Sequence, residues 1–217
     1  MKRSYNVNEL TPILSESKKI VLFGEADMGK STFFEKLNKL HDSDYTFQKK
    51  YKSTDNFDFN RIQLTTDNGI IIIDLWDTAG QENRGGKLRD AYLKGAEGVL
   101  LFYDVSNKKT IKNITTWLEQ IKTIAPNVPV AVIGNKSDTL TDLQQSESVK
   151  IREKNLERDI GHKNIKNFLI SIKENTHLES SSSYWSSAIT TKEEEGCLVG
   201  LEYVLSNIFN KDIIIKH

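Results

Sequence analysis

The chain has 217 residues, 30 basic and 30 acidic side chains, and a single cysteine. That length fits one domain able to bury a full core. Balanced charge gives no broad field for nucleic acid or anionic lipid, and Cys197 alone cannot close an internal disulfide, which points to a reducing compartment.

Residues 1–17 are polar, contain Pro12 and lack the apolar core of a signal peptide, so they read as an extension. Ile20-Val21-Leu22-Phe23 is a short apolar strand. It runs into Gly24-Glu25-Ala26-Asp27-Met28-Gly29-Lys30-Ser31, and a helix is expected from Ser31 to about Leu40. Strand, Gly-x-x-x-x-Gly-Lys-Ser and helix together make a phosphate-binding P-loop. Gly24 and Gly29 allow backbone geometry in which several amides face one anion, and the helix adds its positive N-terminal end. Lys30 supplies a point charge for phosphate and Ser31 a hydroxyl for Mg²⁺. Ala26, Asp27, Met28 and Thr32 belong to the same cradle.

His41 to Asn56 is polar and without a clean period, which predicts a long loop over the phosphates. Phe57 to Thr65 alternates, with Phe57, Phe59, Ile62 and Leu64 as inward candidates and one slip of register. Asp67-Asn68-Gly69 is a tight turn, and Ile70 to Trp76 is the partner strand. Asp77-Thr78-Ala79-Gly80-Gln81-Glu82 follows directly, then the polar, glycine-rich Asn83 to Lys87. Val99 to Val105 is a continuous apolar strand. Ile111, Ile114, Trp117, Leu118, Ile121 and Ile124 fall three and four apart, so Thr110 to Ile124 is an amphipathic helix that Pro126 ends.

Val128 to Ile133 is the next buried strand, with Asn135-Lys136-Ser137-Asp138 at its C-terminal edge, where open α/β sheets bind ligands. A charged helix over about Ser148 to Ile160 and a strand from Asn167 to Ile172 follow. A serine-rich insertion over residues 174–192 and a last helix from about Glu193 to Phe209 complete the domain, residues 18–209. In the tail, residues 210–217, Ile213-Ile214-Ile215 is expected to pack on the domain. Continuous apolar strands alternating with amphipathic helices predict an α/β fold: a mostly parallel sheet with one antiparallel pair and helices on both faces.

Three motifs therefore converge at strand ends. An Asp77 carboxylate can hold a water on Mg²⁺, and the Gly80 amide can meet a γ-phosphate. Asp138 can accept hydrogen bonds from guanine N1–H and N2–H₂, and a site built on such bonds rejects an analogue lacking them by roughly 10⁴–10⁵. Alone, Asp77-x-x-Gly80 also suits a strand-end turn, and Asn135-Lys136-x-Asp138 a solvated turn; their order and placement after a P-loop join them.

At these motifs the chain resembles the small GTPases of the Ras superfamily, the Ran branch most closely. The likeness covers roughly Lys18 to Lys173 and the last helix. Trp76-Asp77-Thr78-Ala79-Gly80-Gln81-Glu82 is the form shared by Ran and Rab proteins. Gly85-Gly86-Lys87-Leu88-Arg89-Asp90-Ala91-Tyr92, Lys112-Asn113-Ile114-Thr115-Thr116-Trp117 and Phe47-Gln48-Lys49-Lys50-Tyr51-Lys52-Ser53-Thr54 are Ran-like. The resemblance implies a GTP/GDP-binding, Mg²⁺-dependent switch that hydrolyses GTP slowly. It implies Ser31, Thr54 and Asp77 at the metal, Gln81 orienting the attacking water with Lys30 and Thr54, and Phe47 near the guanine. The guanine oxygen would be met by a backbone amide of Ser171-Ile172-Lys173, preferred over Ser187-Ala188-Ile189 because it ends a strand.

The implied partners are an exchange factor, a GTPase-activating protein and an effector or transport receptor, with a role in nucleocytoplasmic transport. A monomer in cytoplasm or nucleus is expected, without nucleic acid and, lacking a cysteine near the C-terminus, without a lipid anchor. Ala26 and Asp27 depart from the small residues common in the family. The loop before Thr54 is longer, Arg84 replaces an aromatic, and Ran's acidic tail is missing. Ala26, Asp27 and the altered second switch favour a rival expectation, a module that holds nucleotide, barely hydrolyses it and titrates partners; Thr54 and Gln81 favour the switch. A P-loop kinase or ATPase with an accidental Asn135-Lys136-x-Asp138 is the third.

Overall fold

The computed structural model describes residues 16–41, 57–78, 86–139, 165–172, 176–178 and 196–216. The strands are β1 (Lys18–Gly24), β2 (Phe57–Thr66), β3 (Gly69–Thr78), β4 (Gly98–Asp104), β5 (Val130–Asn135), β6 (Ile165–Ser171) and β7 (Thr176–Leu178). The helices are α1 (Lys30–His41), α2 (Gly86–Leu93), α3 (Lys108–Ile124) and α4 (Val199–Phe209). Among the described residues the strands make one sheet, ordered β2-β3-β1-β4-β5-β6-β7. β3, β1, β4, β5 and β6 are parallel, which leaves the P-loop and the ends of β3, β4, β5 and β6 along one edge.

Strand alternation divides the core into two layers. Ile20 and Leu22 of β1 face the side covered by Phe33, Phe34 and Leu37 of α1 and by Leu201, Val204 and Leu205 of α4. Val21 and Phe23 face the other side, against Ile114, Leu118 and Ile121 of α3. β4 and β5 are buried along their whole length, which is why they read as continuous apolar runs. Trp117 sits edge-on to Phe23, with ring centroids 5.5 Å apart, as part of this second layer.

Four details differ from the reading of the sequence. Ile62 and Leu64 point inward as expected, but Phe59 lies on the opposite face of β2 and is 47% exposed, because odd positions of that strand face away from the core. Besides β2–β3 there is a second antiparallel pair, β6–β7, whose second strand lies inside the stretch taken for an insertion. Residues 86–87, read as part of a glycine-rich loop, open α2, which packs through buried Tyr92 and Leu93. The last helix starts later, with a short 3-10 turn at Gly196–Leu198 before α4.

The tail packs on the domain. Ile213 and Ile215 are buried, Lys216 N–H donates to Thr65 O at 2.7 Å, and Asp67 N–H donates to Ile214 O at 3.0 Å. Among the described residues no helix is long and apolar enough to cross a membrane.

Candidate functional site

The P-loop leaves β1 through Gly24, where φ is +128° and a Cβ would lie 2.3 Å from Phe102 O of the neighbouring strand. Only glycine fits there. Gly29 has φ +93°, and a Cβ on it would fall 2.2 Å from Asn135 Nδ2. The second glycine is thus required by the approach of the Asn135 side chain. Between them Asp27 takes a left-handed conformation, φ +61°. α1 then begins at Lys30 with no acidic residue in its first turn, so nothing of its own opposes an anion at its positive end.

Lys30 is buried and its Nζ donates to Gly24 O at 3.1 Å and Glu25 O at 2.5 Å. Ser31 and Thr32 are exposed at the mouth of the cradle. Asp77, from the C-terminal part of β3, is fully buried, and neither carboxylate oxygen has a well-formed hydrogen bond. Burial raises its pKa to about 6, against the opposing effects of the nearby Ser31 hydroxyl and Lys30 ammonium. Mg²⁺ takes hard oxygen ligands, only one or two of them from protein carboxylates. A buried carboxylate with the Ser31 hydroxyl beside it fits that requirement.

Asn135 ties the site together. Its Nδ2 donates to Met28 O of the P-loop at 3.1 Å, and its Oδ1 accepts the Ile172 N–H at 3.1 Å. The family resemblance implies that an amide of Ser171-Ile172-Lys173 meets the guanine oxygen; the Ile172 N–H instead donates to Asn135. Its buried side chain packs toward Gly29. Ser171 ends β6 beside it.

Lys136, also left-handed at φ +65°, reaches back over the loop to Asp104 Oδ2 at 2.9 Å and Asp27 Oδ2 at 3.3 Å. Burial pulls its pKa down, but the two carboxylates outweigh it and the net shift is upward. Burial likewise pushes Asp104 up, and Ser106 and Lys136 more than reverse it, so its carboxyl stays below the usual range. A carboxylate at Asp27 would repel phosphate if it faced the cradle, but its side chain is 73% exposed and paired with Lys136. Asp138 is exposed in the 3-10 turn Ser137–Thr139, the first turn beyond Lys136.

The described residues thus bring together Gly24, Ala26, Asp27, Met28, Gly29, Lys30, Ser31, Thr32, Asp77, Asn135, Lys136, Asp138, Ser171 and Ile172. Phe47, Thr54, Gly80, Gln81 and Lys173 lie outside them, as do Ser187-Ala188-Ile189 and the helix expected over Ser148 to Ile160. Sequence reasoning missed Asp104, although its position at the C-terminal end of β4 is the same signal that singled out Asn135. It also passed over Glu25, at an unspecified position of the P-loop motif, and Asn113, quoted only as part of a Ran-like stretch.

A P-loop, a buried β3 carboxylate and an asparagine-lysine pair on one edge of a mostly parallel sheet define a nucleotide-binding G domain. Comparison with known proteins agrees: the Ras family model matches residues 19–190, and the chain belongs to that family of small GTPases. It is 37% identical over 139 residues to the Ras-related protein RABA1c of Arabidopsis thaliana, covering 63% of this chain and 62% of that one. It is 40% identical over 121 residues to the Ras-related protein YPT3 of Nicotiana plumbaginifolia, covering 55% and 53%. The matches thus span between half and two thirds of these relatives' lengths. Both carry Rab- or Ypt-type names, and neither supports the Ran branch.

Proposed function

We propose that this protein binds GTP and GDP with Mg²⁺ and hydrolyses GTP slowly, its partners reading the difference between the two states. The observation that carries this is Asn135, whose amide joins the P-loop carbonyl of Met28 to the backbone of Ile172. A base held at Asp138 and phosphates held at Lys30 would then occupy one rigid frame. In it Lys30 exchanges its two carbonyl acceptors for phosphate oxygens, and the α1 amides meet the same charge. Ser31, Asp77 and Thr54 would hold the Mg²⁺, which neutralises charge on the β- and γ-phosphates when bound. Gln81 orients the attacking water, with Gly80 at the γ-phosphate and Phe47 beside the base.

Partner reading has a surface to work with. Exposed Phe59 of β2 stands edge-on to half-buried Trp76 of β3 at 5.2 Å between centroids, and buried Tyr92 of α2 backs Trp76 at 6.4 Å. In sequence these elements neighbour the two loops around Thr54 and Gly80, whose order would depend on the γ-phosphate. An exchange factor, an activating protein and an effector are the expected partner classes. The Ran-like stretches suggest a transport receptor as the finer version, but the Rab- and Ypt-named relatives lend that no support. A monomer in the cytoplasm or nucleus completes the reading.

Ala26 keeps the second reading alive: its methyl, exposed at the loop, would stand toward the γ-phosphate and Gln81 and slow hydrolysis. That reading is a nucleotide-holding module that titrates partners. Competition decides the binding step: excess GDP should displace fluorescent GDP while excess ADP does not. Equal displacement by ADP would refute the guanine assignment of Asp138.

A further inference from the structure

The P-loop carries a buried acid that no step above uses. Glu25 is 8% exposed, and a carboxylate beside an anion site is unfavourable unless it is aimed elsewhere and hydrogen-bonded. Its Oε1 accepts a short hydrogen bond from Asn113 Nδ2 of α3. Its own carbonyl accepts from Lys30 Nζ at 2.5 Å, next to the Gly24 carbonyl at 3.1 Å. One residue is therefore held by α3 through its side chain and holds the lysine through its backbone.

Asn113 stands on a fixed platform. Asn107 caps α3 by accepting the Lys109 N–H at 3.0 Å, and Thr110 Oγ1 donates to Asp104 O at 2.9 Å. Buried Ile114, Leu118 and Ile121 seat the helix on the sheet. Asp104 is also the residue that holds Lys136, so the start of α3 and the lysine over the P-loop share one anchor.

We propose that Glu25 and Asn113 are a positioning pair: they fix the carbonyls of residues 24 and 25 and thereby the Lys30 ammonium that meets a nucleoside diphosphate. This rests on the nucleotide-binding reading above. The pair acts through Lys30 and the loop backbone, so its loss should appear in nucleotide release rather than in the fold.

The test uses the full chain and fluorescent GDP with Mg²⁺. Glu25→Ala and Asn113→Ala should each speed release about tenfold, the scale of one charge-assisted hydrogen bond. The double variant should be no faster than either single one, because both remove the same bond. Glu25→Gln, which keeps an acceptor oxygen, should stay within about threefold of the native rate. Native rates in both alanine variants, or effects that multiply in the double variant, would overturn the pairing. Hydrogen exchange of residues 24–30 without nucleotide provides a second readout. Asn113→Ala should raise it severalfold while β1 stays protected; unchanged exchange would overturn the proposal. If the native chain fails to bind GDP, the nucleotide reading falls, and the exchange result still decides the pair.

Discussion

Asp77→Asn tests the metal site through stability. The buried carboxylate has its pKa raised from 3.8 to about 6. Burial disfavours the charged form, so ionised Asp77 opposes folding in metal-free protein. The penalty is absent below the unfolded pKa, grows between the two values and is complete above the folded one. At about 1.36 kcal/mol per pKa unit, its full size is about 3 kcal/mol. About half is already present at pH 5, so raising the pH to 7.5 should cost the native protein about 1.5 kcal/mol relative to Asp77→Asn. The buried amide of the variant has its own cost, but that cost does not depend on pH and drops out of the comparison. Urea unfolding in EDTA at the two pH values measures the difference. With Mg²⁺ and GDP the native protein should be stabilised while the variant loses nucleotide. Parallel pH dependence in the two proteins, or a native protein gaining on the variant as pH rises, would refute the reasoning.

Asn135→Ala leaves the buried Ile172 N–H and Met28 C=O without partners; at ~1–2 kcal/mol each, GDP affinity should fall roughly 100-fold in a fluorescent-GDP titration. Gly24→Ala forces a Cβ to within 2.3 Å of Phe102 O and should cost about 3 kcal/mol or more in urea unfolding. Phe59→Ala removes an exposed aromatic paired with Trp76, so it should cost about 1 kcal/mol and leave GDP affinity unchanged in the same titration.

The chemistry was legible wherever the backbone itself dictates residue type. Gly24 and Gly29 announce the P-loop because a side chain would collide with Phe102 and Asn135. β4 and β5 are readable because both faces are buried, and α3 because its apolar residues keep helical spacing. Phe59 was misplaced because an aromatic on an edge strand looks inward unless the strand's register is known. α2 was hidden by Gly85 and Gly86, and its hold on the domain comes from tertiary contacts, including Gln120 Nε2 donating to Asp90 Oδ1 at 2.6 Å. The pairing of Asp27 with Lys136 could not be read in advance, because the two lie 109 residues apart in sequence. Glu25 and Asn113, 88 residues apart, meet only once the sheet sets α3 beside the loop.

Single-turnover hydrolysis of preloaded GTP with Mg²⁺, native protein against Gln81→Leu, tests the central claim most directly. The account predicts a slow, measurable native rate that drops in the variant while both retain GTP equally well. Stable retention of GTP with equal, negligible rates would contradict a hydrolytic switch and leave the nucleotide-holding module in its place.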